Sequence, residues 1–310
     1  MKLKLTDCEI KARIEPLKKK TRLIGVGILF ILAAVVFLIA LFGSGGDDTV
    51  PVALFFVAGL FITGFVLIVI GSHFKMKLKL FLSEHVVHDI LCEFFEVEQF
   101  RHDSHIPRAV IKDASLVRGF DNCYGSDFVA GKYKGVNFMF SDIRLTIETT
   151  TVDSEGNTST TETDVFKGTW FICNLTKDIP QKLTVRENNK KILGKGFKNE
   201  SKGIATENIE FNKRYEILCD KPHTAFYVLT PHFMEKIVAA NNQAGGRFFL
   251  CFHRNQVHMA VYNNRDFFDI CRASTKNIEV LREKSRNEMR YLTGLVDILL
   301  GNEFLFGEEK

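Results

Sequence analysis

Two uninterrupted apolar runs near the N-terminus constrain this chain more than any other feature. Residues 23–42 carry no charged or strongly polar side chain, and in residues 50–71 Thr63 is the only polar one. About 20 apolar residues suffice for a helix to cross the hydrocarbon core of a bilayer. A core helix of this length usually has a polar stripe, and a signal peptide has a shorter apolar region. The sequence therefore predicts transmembrane helices at 23–42 and 50–71.

The linker between the runs is short and rich in glycine and aspartate, which predicts an antiparallel transmembrane hairpin over 23–71. Small residues in both runs either let the two helices approach closely or reflect the ordinary composition of membrane helices, namely Gly25, Gly27, Ala33, Ala34, Gly59 and Gly64.

Basic side chains flank this hairpin at its open end, while the linker carries Asp47 and Asp48 and no base. Basic flanks stay on the cytoplasmic side, so a multi-pass protein of the plasma or bacterial inner membrane with both termini in the cytoplasm is predicted. Seven of these side chains lie next to the apolar runs and are expected to contact anionic lipid headgroups: Lys18, Lys19, Lys20, Arg22, Lys75, Lys77 and Lys79.

The net charge of +4 comes from these flanks. Residues 1–79 contain eleven Lys and Arg against five Asp and Glu, which leaves the remainder close to neutral. No nucleic-acid partner is therefore expected. The seven cysteines are scattered and include no CxxC pair, which argues against a zinc site and a disulfide framework.

The pattern after the hairpin predicts an α+β fold, with a cytoplasmic antiparallel β-rich domain and several helices. A basic N-terminal segment (1–22), a membrane-proximal helical connector (72–122) and this domain (123–310) complete the predicted organisation. A turn at Lys134-Gly135 joins two strands, a helix starts at Pro231, and a hairpin with its turn at 253–256 precedes a last helix that starts near Ser274.

Residues 144–170 alternate in polarity around a turn sequence at 154–157. They predict a long hairpin with a polar tip, but a disordered Ser/Thr loop over 148–163 fits the composition almost as well. Residues 187–202 form a predicted basic loop, which is either a solvated loop or a segment that contacts the inner leaflet.

Two histidine pairs come nearest to a metal site: His85 with His88, and His102 with His105. Each pair shares one helical face, but metal sites need three or four ligands and no third ligand is identifiable. They are weak candidates beside the simpler interpretation of solvated or core histidines. Glu210, Arg214 and Glu216 fit a cross-strand charge ladder better than acid–base catalysis. No catalytic motif occurs, so neither a catalytic residue nor a cofactor is predicted.

Five segments together resemble a known family: SDFVAGK (126–132), FMFSD (138–142), VFKGTWF (165–171), ENIEFNKRY (207–215) and LTPHFME (229–235). Their order and spacing are similar to the bacterial family called domain of unknown function 3137 (DUF3137). Departures include Asp142, where the pattern has Glu. The resemblance implies two N-terminal transmembrane helices, then this domain, and a bacterial source, but no activity.

The leading hypothesis is a membrane-tethered cytoplasmic module without catalytic activity that binds a protein or lipid partner. One alternative is an enzyme with its site near the histidine pairs. Another is an accessory subunit of a membrane transport or envelope complex, with the hairpin as its interface.

Overall fold

The computed structural model describes residues 5–44, 50–154, 156–187, 203–264 and 278–306. They belong to two compact units, one of residues 1–89 with 270–283, the other of residues 90–269 with 284–310. The apolar hairpin and the antiparallel sheet domain confirm the predicted α+β class. Most of the predicted basic loop, the centre of the linker and the start of the last helix lie outside the described residues.

The first unit is helical, and both apolar runs lie in helices that continue beyond them. Two stretches, Asp7–Leu41 and Leu54–Phe94, are long and apolar enough to cross a membrane by length and composition. Thr6 starts the first of them, because its side chain and that of Glu9 form a capping box. The helices are α1 (Asp7–Thr21), α2 (Leu23–Ser44), α3 (Val50–Leu82), a π-helical turn (Ser83–Val87) and α4 (His88–Phe94).

Glycines bring α2 and α3 into contact. A Cβ atom on Gly27 would lie 2.6 Å from the carbonyl oxygen of Gly64, so neither position has room for a side chain. The predicted close approach is therefore confirmed at Gly27, Gly64 and the buried Ala34, but it is wrong at Gly25 and Gly59, where a Cβ would meet open space. Buried positions on α3 recur every seven residues, as in left-handed helix pairs: Val57, Gly64, Gly71 and Leu78.

The second unit is built on one antiparallel sheet in the order β1-β2-β3-β4-β5, with β6 also paired to β4. The strands are β1 (Glu96–Arg101), β2 (Asn122–Tyr133), β3 (Val136–Val152), β4 (Thr158–Glu187), β5 (Tyr215–Cys219) and β6 (Arg247–Tyr262). Its remaining helices are α5 (Arg108–Ala114), α6 (Ile209–Arg214), α7 (Pro222–Val228), α8 (Pro231–Ala244), α9 (Ile278–Leu300), which begins in the first unit, and α10 (Glu303–Phe306).

Both faces of the central strands are covered. On one face Trp170, Phe166 and Ile143 pack with Ile111 and Ala114 of α5. On the other face the rings of Phe138, Phe140 and Phe171 stack on one another, and the ring of Phe95, which lies between α4 and β1, is tilted against that of Phe138.

The predicted helical connector is wrong at residues 96–101. These residues form the edge strand β1. β1 pairs with β2 next to Gly131, where a Cβ atom would collide with the carbonyl oxygen of Glu96. The absence of a side chain at Gly131 thus permits a strand pairing that the local sequence of β1 does not reveal.

The turn between β2 and β3 is confirmed. Lys134 and Gly135 both have positive φ, at 49° and 79°, which is the conformation of a type I′ hairpin turn.

The hairpin predicted with a turn at 253–256 is wrong. β6 is one strand of 16 residues, and both of its halves pair with β4. Register shifts in this pairing lie between Asn174 and Leu183 of β4, where the polar residues of β6 pass beside the irregular part of the partner strand. Pairing with a distant strand therefore overrides the local turn pattern.

The helix at Pro231 is confirmed, with the Thr230 side chain accepting a hydrogen bond from the Phe233 amide at 3.3 Å. The apolar stripe of α9 is confirmed as well, since all its members are buried: Ile278, Leu281, Met289, Leu292, Leu295, Val296 and Leu299.

Candidate functional site

An open cleft of about 480 Å³ lies beside α6 and α8 in the second unit. Phe211 and Val238 are its apolar members, and charged side chains surround them. It is lined by Asn208, Glu210, Phe211, Lys213, Arg214, Glu235 and Val238.

Helix α6 positions one side of this cleft. Asn208 caps the helix, because its side chain accepts a hydrogen bond from the Phe211 amide at 3.0 Å. Phe211 then stacks on Tyr215 with ring centroids 4.5 Å apart, and Asn241 donates to the Tyr215 hydroxyl at 2.7 Å. Burial raises the pKa of Tyr215, so its hydroxyl stays protonated and available for this contact.

The predicted charge ladder is wrong in one respect, since Glu210 and Arg214 lie on a helix and not on a strand. The Asn208 cap explains the difference, because it starts a helical turn just before β5. Arg214 still pairs with a strand residue, Glu187, at 3.1 Å, and it donates to Asn242 at 2.6 Å. Glu216 is on β5, directly opposite Arg186.

Two of the five family-like segments meet at this cleft. Residues 207–215 supply the cap, the ring and the charges, and Glu235 ends the segment 229–235. Sequence reasoning named some of these residues but not the site, because their meeting depends on how α6 and α8 pack on the sheet. The spacing of Phe211 and Tyr215 was the available signal.

The other three segments meet around the loop that follows β1. Asp127 is almost fully buried and contacts Nδ1 of His102, while the Ser126 hydroxyl donates to its second oxygen at 3.1 Å. The Ile106 amide donates to the Ser141 hydroxyl at 3.1 Å, and Thr169 donates to Asp142 at 3.2 Å. The contacts of His102 and Ile106 thus hold the loop 102–106 against the sheet, while that of Thr169 links β4 to β3.

The structure explains the second histidine pair by these contacts. His102 pairs with Asp127, which lies in a β-bulge at φ 59°, and Nδ1 of His105 lies 2.7 Å from the Ile106 carbonyl oxygen. In the first pair, His85 lies on the π-helical turn with its ring 4.6 Å from that of Phe81 on α3, and His88 starts α4. The described part of the chain contains no group of three His, Cys, Asp or Glu side chains that could hold a metal ion.

One histidine was missed by sequence reasoning. His258 is buried on β6, and the Trp170 indole donates to its Nδ1 at 3.3 Å. Burial lowers the pKa of His258 to about 4, so it is a neutral hydrogen-bond acceptor inside the core.

β3 and β4 extend past the sheet as a two-stranded arm, defined as residues 146–152 paired with residues 158–164. The alternative of a disordered loop is therefore settled in favour of a hairpin. Most side chains on both faces of the arm are exposed. At its tip, Asp153 accepts hydrogen bonds from the amide and the side chain of Asn157 at 2.8 and 3.1 Å.

A polar network braces the arm where it leaves the sheet. Asn122 donates to Glu148 at 2.7 Å and to Glu162 at 3.0 Å. Tyr124 donates to Glu162 at 2.8 Å, and this hydrogen bond raises the pKa of Tyr124. Arg144 donates to Asp164 at 2.7 Å. The two facing glutamates therefore share donors from β2, which offsets their mutual repulsion.

The basic side chains of the first unit form a collar, defined as Lys18, Lys19, Lys20, Arg22, Lys75, Lys77 and Lys79. A Cβ atom on Gly71 would lie 2.8 Å from the amide nitrogen of Ile24, which places these two residues at the same level of the hairpin. The ammonium of Lys20 lies 4.5 Å from the ring centroid of Phe74, and that of Lys77 lies 5.9 Å from it. Both basic flanks therefore lie at one level along the two helices.

Comparison with known proteins finds a family model that matches part of the chain. Residues 164–300 match the model of the family described as "Protein of unknown function (DUF3137)", which confirms the resemblance seen in the sequence. Three of the five segments lie inside the matched range, and residues 126–132 and 138–142 precede it. None of the curated proteins matches the chain.

One solved structure is similar over much of its length, the mycobacterial trehalose monomycolate transport factor A, TtfA. The alignment covers 70% of this chain and 95% of that chain, at 11% sequence identity and a TM-score of 0.37.

Proposed function

We propose that this chain, whose residues 164–300 match the DUF3137 family model, is a membrane-tethered module without catalytic activity that binds a protein partner in the cleft beside α6 and α8. One observation carries the proposal: the two family-like segments 207–215 and 229–235 line the same open cleft. Ligand sites combine apolar surface with a few placed polar groups, and this cleft has Phe211 and Val238 among four charged side chains.

The hairpin supplies the tether in this proposal. Apolar side chains on both helices are largely uncovered, for example Leu29 at 65% and Phe55 at 81% exposure, where a pair of soluble core helices would be covered. Such an apolar surface is expected to contact lipid acyl chains and not water. With the basic collar on the cytoplasmic side, both termini lie in the cytoplasm and the collar contacts anionic headgroups.

The orientation is tested by labelling Cys8, an exposed thiol at the start of α1. A membrane-impermeant maleimide should label it in inverted vesicles and not in intact cells. Labelling of Cys8 from outside intact cells would reverse the orientation.

The cleft is tested by photo-crosslinking in native membranes. A photoreactive amino acid replaces Val238 in the cleft, and in a matched variant it replaces Asn255, an exposed residue of β6. The Val238 variant should give a discrete crosslinked protein, and Glu235→Arg in the same chain should weaken that product. Equal products from both positions would count against the cleft as the binding site.

A further variant separates the proposal from the transport or envelope alternative. Replacing the hairpin by an unrelated two-helix hairpin should keep the cleft partner. If the partner is lost although the protein still reaches the membrane, the hairpin is the interface and the chain is an accessory subunit.

The contact between His102 and Asp127 favours a second candidate, an enzyme that uses this histidine. A buried carboxylate can orient an imidazole for proton transfer. If His102→Gln abolished an activity of the purified chain while its unfolding midpoint stayed unchanged, catalysis would be supported. The binding proposal expects His102→Gln to lower the stability of the loop 102–106 and to leave partner crosslinking at Val238 intact.

A further inference from the structure

The outer edge of β3 is open along the arm. β2 pairs with β3 only as far as Thr146, and within the described residues no further strand continues along that edge. The direction of the backbone groups follows from two contacts with Asp121. The Asp121 amide donates to the carbonyl oxygen of Thr146 at 2.8 Å, and the Glu148 amide donates to the Asp121 carboxylate at 2.9 Å.

Alternate residues of an antiparallel strand direct their backbone groups to the same edge. Thr146 and Glu148 face away from β4, and so do Thr150 and Val152. The N–H and C=O groups of Thr150 and Val152 are therefore presented on the open edge, ready to pair with another strand.

Apart from the charge of Glu148, this edge lacks the features by which proteins prevent such pairing. Proline, lysine, or a bulge usually blocks an open edge. The arm has neither proline nor lysine over 147–152, and the register shift of β3 lies before it, between Leu145 and Thr146. Four consecutive β-branched residues, 149–152, favour an extended strand instead, and Val152 is 65% exposed.

We propose that the arm pairs with the arm of a second copy of this chain, β3 to β3 and antiparallel, about a two-fold axis at Thr150. In this register Thr150 lies opposite Thr150 of the other copy, and the two residues exchange two backbone hydrogen bonds. Val152 of each copy lies opposite Glu148 of the other and exchanges two backbone hydrogen bonds with it, so the Val152 carbonyl oxygen replaces the Asp121 carboxylate at the Glu148 amide.

The charge pattern is self-complementary in this register. Glu148 is the only charged residue of β3 in the arm, and it faces Val152 of the other copy and not a second carboxylate. Pairing leaves the brace of the arm intact, because Asn122, Tyr124 and Arg144 contact side chains of the arm and not its backbone. Because the polar network already fixes the direction of the arm, pairing needs little additional ordering.

The proposal is tested by disulfide crosslinking of the full chain in its native membrane. Thr150→Cys is introduced after the exposed Cys8 and Cys92 have been replaced by serine. In the proposed pair the two Cα atoms at position 150 are about 5.5 Å apart, a separation that permits a disulfide. Thr160→Cys is the matched control, because Thr160 lies directly opposite Thr150 on β4 and belongs to the other edge of the same arm.

Mild oxidation should give a disulfide-linked dimer with Thr150→Cys and only a background level with Thr160→Cys. Equal yields would indicate random collision, and a higher yield from Thr160→Cys would indicate pairing through β4. A crosslink from Thr150→Cys to a different protein would identify a foreign strand on this edge. Each of these three results, or no crosslink at all, overturns the proposal.

A second variant tests the hydrogen bonds without a cysteine. Thr150→Pro removes an amide that faces the open edge and therefore spares the ladder between β3 and β4. Native mass spectrometry should show a dimer for the unmodified chain and a monomer for Thr150→Pro, with unchanged hydrogen-exchange protection in β4 of the arm. A dimer that survives Thr150→Pro contradicts pairing through this edge.

Discussion

β3 and β4 stay paired from the centre of the sheet to the tip of the arm, yet one end of this pair is buried and the other is exposed to solvent. At the base, defined as residues 138–145 with 166–173, both faces are buried. In the arm, most side chains on both faces are exposed. The same ladder of backbone hydrogen bonds is thus held together by different forces at its two ends.

Burial stabilises the base. Phe140 and Phe171 lie opposite each other and stack with ring centroids 6.3 Å apart, while Trp170 packs on the other face. The arm has no comparable burial, and an isolated two-stranded ribbon is marginally stable in water. Its order depends on β-branched threonines and on the brace formed by Asn122, Tyr124 and Arg144, so substitutions should have large effects at the base and small ones in the arm.

The largest effect is expected at Phe171. Phe171→Ala leaves a cavity between Phe138 and Phe140 and should lower the free energy of unfolding by about 3–5 kcal/mol. Urea unfolding of the full chain in detergent, followed by the fluorescence of Trp170, measures this loss. Thr161→Ala in the arm is the matched control, and equal losses from both variants would contradict the contrast between base and arm.

The stability of the base should also depend on pH, through His258. Burial lowers the pKa of His258 to about 4 from an ordinary 6.5, so between these values the unfolded chain binds a proton that the folded chain excludes. Stability is therefore fully present above pH 6.5 and falls as the pH drops towards 4, by up to about 3 kcal/mol. Unfolding midpoints at several pH values measure the slope, and His258→Gln should flatten it.

His253 is a second source of pH dependence, because burial also lowers the pKa of its imidazole. Since His253 is still present in the His258→Gln variant, the slope that remains in this variant measures its contribution. His253 is half-buried near the surface, so its contribution to the pH dependence of stability should be smaller than that of His258. A slope unchanged by His258→Gln would mean that other groups dominate the pH dependence.

The sequence predicts the elements whose partners are adjacent in the chain. The type I′ turn at Lys134, the cap at Thr230 and the stripe of α9 all follow from local patterns, and the structure has them. The collar follows as well, because antiparallel pairing of the two apolar runs places both basic flanks at one level. The errors concern elements whose state depends on distant residues.

Three regions show why local patterns failed. β6 contains a polar run that suits a turn, but the long partner β4 keeps it extended. β1 is a strand because Gly131 lets it approach β2. The arm could not be distinguished from a loop, because threonine suits both and the deciding brace comes from β2. The cleft was missed for the same reason, since it requires α6 and α8 to meet.

A smaller effect is expected at the brace. Tyr124→Phe removes the hydroxyl that donates to Glu162 and should lower the local stability of the arm slightly, because water competes for this exposed hydrogen bond. Hydrogen exchange of the full chain should show faster exchange in residues 146–152 and 158–164, with protection of the base unchanged. Equal acceleration in the base would mean that the arm and the base unfold as one unit.

The smallest effect is expected within the arm itself. Thr161 is exposed and lies opposite Thr149, so Thr161→Ala removes little buried surface and should change the free energy of unfolding by less than about 0.5 kcal/mol. The midpoint of urea unfolding should be unchanged within error. A loss of more than 1 kcal/mol would show that the arm is covered in the assembled protein, and repeating the measurement with Thr150→Pro present would then reveal whether a second copy of the chain provides the cover.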